Sequence, residues 1–143
     1  MTPDDLRALP IFAGASDSGL ERLASASGEL TCNAGQIVAL EGDPGSGMFV
    51  ILDGTASVEW RGGSVNLEAG TFFGELTLLA PGGRRNARVR AATEMHCLAI
   101  PRDAALEVIE SEPSVALAML REVARRFASV SYTHLTLPTI LRV

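Results

Sequence analysis

The chain has 143 residues, enough for one domain with a substantial core, and 47% hydrophobic with 20% charged residues describes a folded rather than a disordered polypeptide. A formal net charge of −5 and a pI near 5.0 exclude a broad basic surface for nucleic acid. No apolar run approaches the ~20 residues needed to cross a bilayer, and Asp4 and Asp5 leave no apolar signal core, so the chain is read as cytoplasmic.

Residues 3–9 are expected to form a short helix, with Pro3 suited to its first turn. Residues 16–27 form a second, amphipathic helix in this reading. Ser16 is its N-cap, and Leu20, Leu23 and Ala24 form its apolar face. From about Leu30 to Ile100 the pattern changes to short β-rich runs broken by glycine. The runs are 36–40, 48–52, 55–61 and 64–67, and the breaks are Gly42-Asp43, Asp53-Gly54, Gly62-Gly63 and Gly70. Asp53-Gly54 and Gly62-Gly63 carry hairpin chemistry. Residues 48–52 are nearly all apolar and are expected to be the central buried strand. Residues 86–92 and 94–100 close the series. Many short strands with regular turns imply a sandwich or barrel.

Pro101 then opens a helix to about Glu110, and Pro113 opens another. In the last helix Ala116, Leu120, Val123, Phe127 and Val130 recur at alternating four and three spacing, a heptad-like seam. That seam suits either packing on the β-core or dimerisation, and Leu117, Ala124 and Ala128 give a second apolar edge. Cys32 and Cys97 fall in strand-like runs and read as buried or semi-buried strand residues, with a disulfide the less favoured alternative, and His96 reads as a solvent-facing strand residue. Neither His96 nor His134 has partners at metal-ligand spacing. No nucleophile–base arrangement is evident, so the domain is read as non-enzymatic.

The chemistry concentrates in 70–87. Gly74 lets backbone approach a ligand closely, having no Cβ. Residues 74–79 are long enough for one or two helical turns, whose leading N–H groups favour an anion. Arg85, ten positions after Glu75, can hold phosphate with a bidentate fork. Glu75 would repel phosphate but can accept hydrogen bonds from a sugar hydroxyl nearby. Acid for hydroxyl and guanidinium for phosphate together describe a nucleotide. A plain surface ion pair between the two is the simpler reading, but it leaves the glycines unexplained.

Phe73-Gly74-Glu75-Leu76-Thr77-Leu78-Leu79 and Arg85-Asn86-Ala87 resemble the phosphate-binding cassette of the cyclic nucleotide-binding domain of the catabolite activator (Crp/Fnr) family, also found in cyclic-nucleotide-dependent kinases and gated channels. The similarity includes Leu9-Pro10-Ile11-Phe12, Glu41-Gly42-Asp43, Val50-Ile51-Leu52-Asp53-Gly54, Val89-Arg90-Ala91 and Ala124-Arg125-Arg126, about residues 5–129 in all. The resemblance implies a mainly β fold with flanking α-helices, a double-stranded β-helix or jelly roll. The jelly roll would span 29–100, with helices at 1–28 and 101–129.

It implies a sensor of a cyclic nucleotide, cAMP in preference to cGMP, with no further cofactor. The ligand-binding residues would be Gly74, Glu75, Leu76, Arg85, Asn86 and Ala87, with Glu75 on the ribose 2′-hydroxyl and Arg85 on the cyclic phosphate. Asn86 stands where the family usually has Ser or Thr; its amide can still donate to a phosphate oxygen. The alternative is a relative that has lost binding and serves as a structural or dimerisation module.

Residues 130–143 break the pattern. Val130-Ser131-Tyr132-Thr133-His134-Leu135-Thr136-Leu137-Pro138-Thr139 resembles a translated sequencing-library adapter, which makes 130–143 a non-native tail. On that reading the chain is the N-terminal part of a truncated Crp/Fnr-type regulator or another cyclic-nucleotide-controlled protein. This part makes no direct DNA contact and no membrane contact, and can form a homodimer through the last helix.

Overall fold

The computed structural model describes residues 1–39, 47–74 and 87–133. Within them, eight strands form two antiparallel sheets of four. The first is ordered β1 (Gly28–Cys32), β8 (Met95–Pro101), β3 (Gly47–Asp53), β6 (Phe72–Phe73), and the second β2 (Ile37–Ala39), β7 (Arg88–Ala91), β4 (Ala56–Trp60), β5 (Gly63–Leu67). The pairs β4–β5, β3–β6, β2–β7 and β1–β8 nest around the β4–β5 hairpin. That wrapping is the expected jelly roll, mainly β with flanking helices.

Side chains alternate between two cores because a strand has period two. On β3, Met48 and Val50 face helices, whereas Phe49 and Ile51 face the opposite sheet. On β8, Leu98 and Ile100 join the helix-side core, and Met95 and Cys97 the inter-sheet core. The apolar run 48–52 is therefore a strand buried on both faces, as its composition demands. Cys32 and Cys97 are buried and free, and His96 sits half-exposed, 3.0 Å from Glu29.

Two turn expectations are corrected. Asp53-Gly54 does not close a hairpin: β3 and β4 lie in different sheets, so it is a crossover. Gly54 has φ +89, and a Cβ there would lie 2.2 Å from the Glu94 carbonyl oxygen. The chemistry that permits a tight turn does not choose the partner strand. The β4–β5 turn is Arg61-Gly62 rather than Gly62-Gly63, because Gly63 already pairs with Trp60.

The helices are α1 (Pro3–Arg7), α2 (Asp17–Ala26), α3 (Arg102–Ser111) and α4 (Pro113–Thr133), with a 3₁₀ turn at Pro10–Phe12. Helix α1 is shorter than expected. Thr2 caps it in a capping box with Asp5, and the chain tightens at Pro10. Ser16 caps α2 as expected, its Oγ accepting the Gly19 N–H at 3.1 Å, and Leu20 and Leu23 are buried. Pro101 does not begin α3. It is the last residue of β8, paired with Gly47, and its extended ψ of 153° makes it the N-cap. Pro113 begins α4 as expected.

Of the expected seam on α4, Val123 packs against the helix-side core whereas Leu120 does not. Val115 and Met119 are buried, Leu120 is 64% and Leu117 45% exposed, and Ala116 and Val123 are half-buried. The packed stripe runs through Val115, Ala118, Met119, Glu122 and Arg126. The side chains of Phe127 and Val130 lie outside the described residues. The helix continues through Thr133, four residues into the segment read as a non-native tail; 134–143 lie outside the described residues.

Glu112 anchors α4 to the rest of the fold. It is 9% exposed, and its carboxylate accepts the Ser16 N–H at the start of α2. Its own carbonyl accepts Val115 and Ala116 N–H groups at 3.0 and 3.2 Å. The Ser16 backbone and side-chain hydrogen bonds hold its carboxyl below the usual carboxylate range.

Candidate functional site

Of the six residues expected to bind ligand, Gly74 and Ala87 are described; Glu75, Leu76, Arg85 and Asn86 lie outside the described residues, as does the helix expected at 75–79. The expected similarity at Glu41-Gly42-Asp43 also falls outside them. What is described is the frame that delivers the chain into this segment and receives it again. Gly74 follows β6 in the first sheet, and Ala87 precedes β7 in the second.

The approach to Gly74 is held tightly. The Gly70 N–H donates to the Ile51 carbonyl at 2.7 Å, and the Ile51 N–H donates to the Thr71 carbonyl at 2.8 Å. Thr71 Oγ1 donates to the Glu68 carbonyl at 2.7 Å, and Thr55 Oγ1 to the Glu68 carboxylate at 3.0 Å. These bonds extend the β3 ladder and fix β6, although it is only two residues long. Phe72 then enters the helix-side core and Phe73 the inter-sheet core. Phe73 stacks on Phe49 with centroids 5.0 Å apart and rings inclined by 17°. Gly74 follows with φ +89, a conformation that glycine adopts without the steric cost a side chain brings. Two buried aromatic anchors thus set the position from which Glu75 departs.

The exit is held electrostatically. Arg88 lies opposite Glu59 in the ladder, at 2.7 Å, and Arg90 approaches the same carboxylate at 3.5 Å. The Arg88 hydrogen bond, reinforced by both positive charges, holds the Glu59 carboxyl below its ordinary value. Arg90 also donates to the Gly35 carbonyl at 3.0 Å. Val89 and Ala91 point into the inter-sheet core, so β7 is fixed from both faces.

One participant carried no role in the sequence reading. Arg126, on α4, donates to the Phe72 carbonyl and places its guanidinium carbon 4.6 Å from the centre of the Phe72 ring. Its Nε also donates to Glu122 at 2.7 Å, and Arg125 meets the same carboxylate at 3.0 and 2.7 Å. Burial pushes the Glu122 carboxyl up, but the two arginines outweigh burial and hold it below the ordinary range. The last helix is thereby tied to the residue two before Gly74. The sequence carried half of this signal, since Glu122 with Arg125 and Arg126 has (i, i+3) and (i, i+4) spacing. The contact with Phe72 spans 54 positions and leaves no local trace.

Among the described residues, no group of three or more His, Cys, Asp or Glu could hold a metal, and no helix is long and apolar enough to cross a membrane.

Comparison with known proteins agrees with this geometry. A family model described as "Cyclic nucleotide-binding domain" matches residues 29–112. A cyclic nucleotide-gated potassium channel of Rhizobium etli is 34% identical over 93 residues, 65% of this chain and 26% of the channel. A CRP-like cAMP-activated global transcriptional regulator of Mycobacterium tuberculosis is 30% identical over 122 residues, 81% of this chain and 54% of the regulator. Among solved structures, a cAMP-binding acyltransferase of Mycobacterium smegmatis is 29% identical with a TM-score of 0.76, over 90% of this chain and 41% of that one. The chain spans only 26% of that channel and 54% of that regulator.

Proposed function

The chain belongs to the cyclic nucleotide-binding domain family, and from that premise we propose that it is a regulatory, non-enzymatic module that senses a cyclic nucleotide, cAMP in preference to cGMP. The preference rests on relatives whose names specify cAMP. The observation that carries the reading is the frame around the cassette. Two aromatic anchors and a positive-φ glycine lead into Glu75, and Arg126 joins that lead to the last helix.

In this mechanism the cyclic phosphate meets Arg85 and the backbone of the turn opening at Gly74, with Leu76, Asn86 and Ala87 beside it. Glu75 accepts the ribose 2′-hydroxyl. Drawing the cassette onto the ligand changes the environment of Phe72 and hence the seat of Arg126. The last two helices then reorient about residues 100–103. Ligand shifts that equilibrium only by binding one arrangement better than the other. The module acts in the cytoplasm and makes no direct DNA contact. It can pair with a second copy through the last helix, where Leu117 and Leu120 are exposed. An output unit belongs to a longer, Crp/Fnr-type or otherwise cyclic-nucleotide-controlled protein, of which 1–129 is the sensor and 130–143 a non-native tail.

The test is thermal unfolding with and without cAMP or cGMP. Ligand at about a hundred times its dissociation constant should stabilise by ~2.7 kcal/mol, a rise on the order of 5–15 °C for a domain of this size. Arg85→Ala should abolish the rise, because the phosphate loses its paired charge. A folded protein that no cyclic nucleotide stabilises would instead be a structural or dimerisation module, the reading that Asn86 favours.

A further inference from the structure

A cleft of about 420 Å³ opens between the 3₁₀ turn, the β5–β6 loop and the middle of α4. That volume is within the ~300–1,000 Å³ range of small-molecule sites. Among the described residues its lining shares Gly70, Thr71 and Phe72 with the approach to the cassette but includes neither Gly74 nor Ala87, so it lies on the helix side of that approach. Pro10, Ile11 and Phe72 supply an apolar wall, and Arg121, Glu122 and Arg125 line the helix side.

The polar groups around the cleft are unequally committed. Thr71 Oγ1 is spent within the loop, on the Glu68 carbonyl, and the Gly70 N–H is spent on the Ile51 carbonyl of β3. Both Glu122 oxygens already accept from Arg125, and one also from Arg126. Glu122, the one carboxylate among the described lining residues, is thus already engaged by two arginines. Arg121 is different: among the described residues it has no hydrogen bond or ion pair, and it is exposed at the rim. Two guanidiniums of α4 thus hold one carboxylate while a third, Arg121, stands uncommitted at the rim beside an apolar wall.

We infer that this cleft binds a small amphipathic organic acid, its aromatic or short aliphatic body on Pro10, Ile11 and Phe72 and its carboxylate on Arg121. A nucleotide fits it less well, since the described lining carboxylate that its ribose would need is already engaged by two arginines. An occupant touches the 3₁₀ turn, the β5–β6 loop and α4 together, and so braces the last helix in the arrangement that seats Arg126 on Phe72.

The test is a nuclear magnetic resonance titration of the whole ¹⁵N-labelled chain with 2-naphthoate and its neutral counterpart 2-naphthylmethanol. Naphthoate should shift the amides of Gly70, Thr71 and Ala118, and bind roughly tenfold or more tighter than the alcohol, as a charge-assisted bond implies. Arg121→Gln should remove that advantage without changing the melting temperature, and Arg121→Lys should restore part of it. Ala118→Phe should fill the cleft and block both compounds. The idea is overturned if neither compound shifts these amides at millimolar concentration, or if the alcohol binds as well as the acid. It is equally overturned if Arg121→Gln has no effect, or if the shifts centre on Gly74 and Ala87. Saturating cAMP should leave the naphthoate site intact, whereas direct displacement would merge the two sites and sink the proposal.

Discussion

Strands β3, β6 and β8 feed both the helix-side core and the inter-sheet core, to which β1, β4, β5 and β7 add on the inter-sheet side, but the two cores are closed in different ways. The inter-sheet core is enclosed by two nested hydrogen-bonded sheets, and opening it means breaking ladders. The helix-side core is closed by side chains of the 3₁₀ turn and of α1 to α4, and a helix can slide off it without losing a backbone bond of the roll. One region can therefore hold a fixed geometry while the other changes. Phe73 and Phe72, adjacent in sequence and pointing into opposite cores, join the two immediately before Gly74.

Substituting these two phenylalanines should separate the cores. Phe73→Ala and Phe72→Ala should each cost ~3–5 kcal/mol in urea denaturation. Their hydrogen-exchange signatures should differ. Phe73→Ala loses the stack on Phe49 as well and should raise exchange across both sheets. Phe72→Ala should raise exchange in α4 and the 3₁₀ turn while β4, β5 and β7 stay protected. Identical patterns would mean that the two cores open as one unit.

Arg126→Ala should cost less, about 1–3 kcal/mol, as expected for a charged hydrogen bond to a carbonyl combined with a contact to an aromatic face. The added exchange should be confined to α4. Loss of protection in β7 after this change would show that the helix supports the sheets rather than reporting on them.

Smaller still at neutral pH is Glu112→Gln, because an amide oxygen can still accept the Ser16 N–H. Its effect should appear in acid. The folded carboxyls of Glu112 and Glu122 titrate below the ordinary carboxylate value of ~4.3. Their contribution is therefore complete above that value and lost as pH falls through the lower folded one. Acid unfolding followed by circular dichroism should steepen below about pH 4.5, and Glu112→Gln should flatten that slope.

The least perturbing probe is thiol chemistry. Burial, with Cys32 adding to it, pushes the Cys97 thiol up to about 12, and burial raises Cys32 as well. Neither should react with an aromatic disulfide reagent in the folded protein near pH 8, and both should react in urea. A fast-reacting thiol without denaturant would show that the inter-sheet core opens as easily as the helical one.

Much of the roll could be read in advance because its signals are local. Residues 48–52 are apolar on both faces, Ser16 has a capping hydroxyl, and Pro113 fits a first helical turn, each acting within one turn or strand. The cassette motif was legible as a spacing of residue types; of its frame, β7 falls in the expected run 86–92, whereas the two-residue β6 was not among the expected strands. The turn at Asp53-Gly54 was misassigned because the residues that permit a reversal are the same for a hairpin and a crossover. Sheet order depends on partners more than forty positions away, such as Met48 with Ile100.

The sequence by itself determined that the chain makes a β-rich domain with helices at both ends, and it supplied the Gly-Glu and Arg spacing on which the proposed nucleotide site rests. Period-two burial and residue chemistry act over a few positions and need no tertiary context. Only the tertiary structure decided which face of α4 packs. A heptad spacing marks an apolar stripe, but the Glu112 anchor and the seat of Arg126 on Phe72 set its rotation, leaving Leu120 in solvent. It also decided that Arg121 stands without a described partner beside an apolar cleft, since two of the elements forming that cleft, the 3₁₀ turn and α4, are more than a hundred residues apart in the chain.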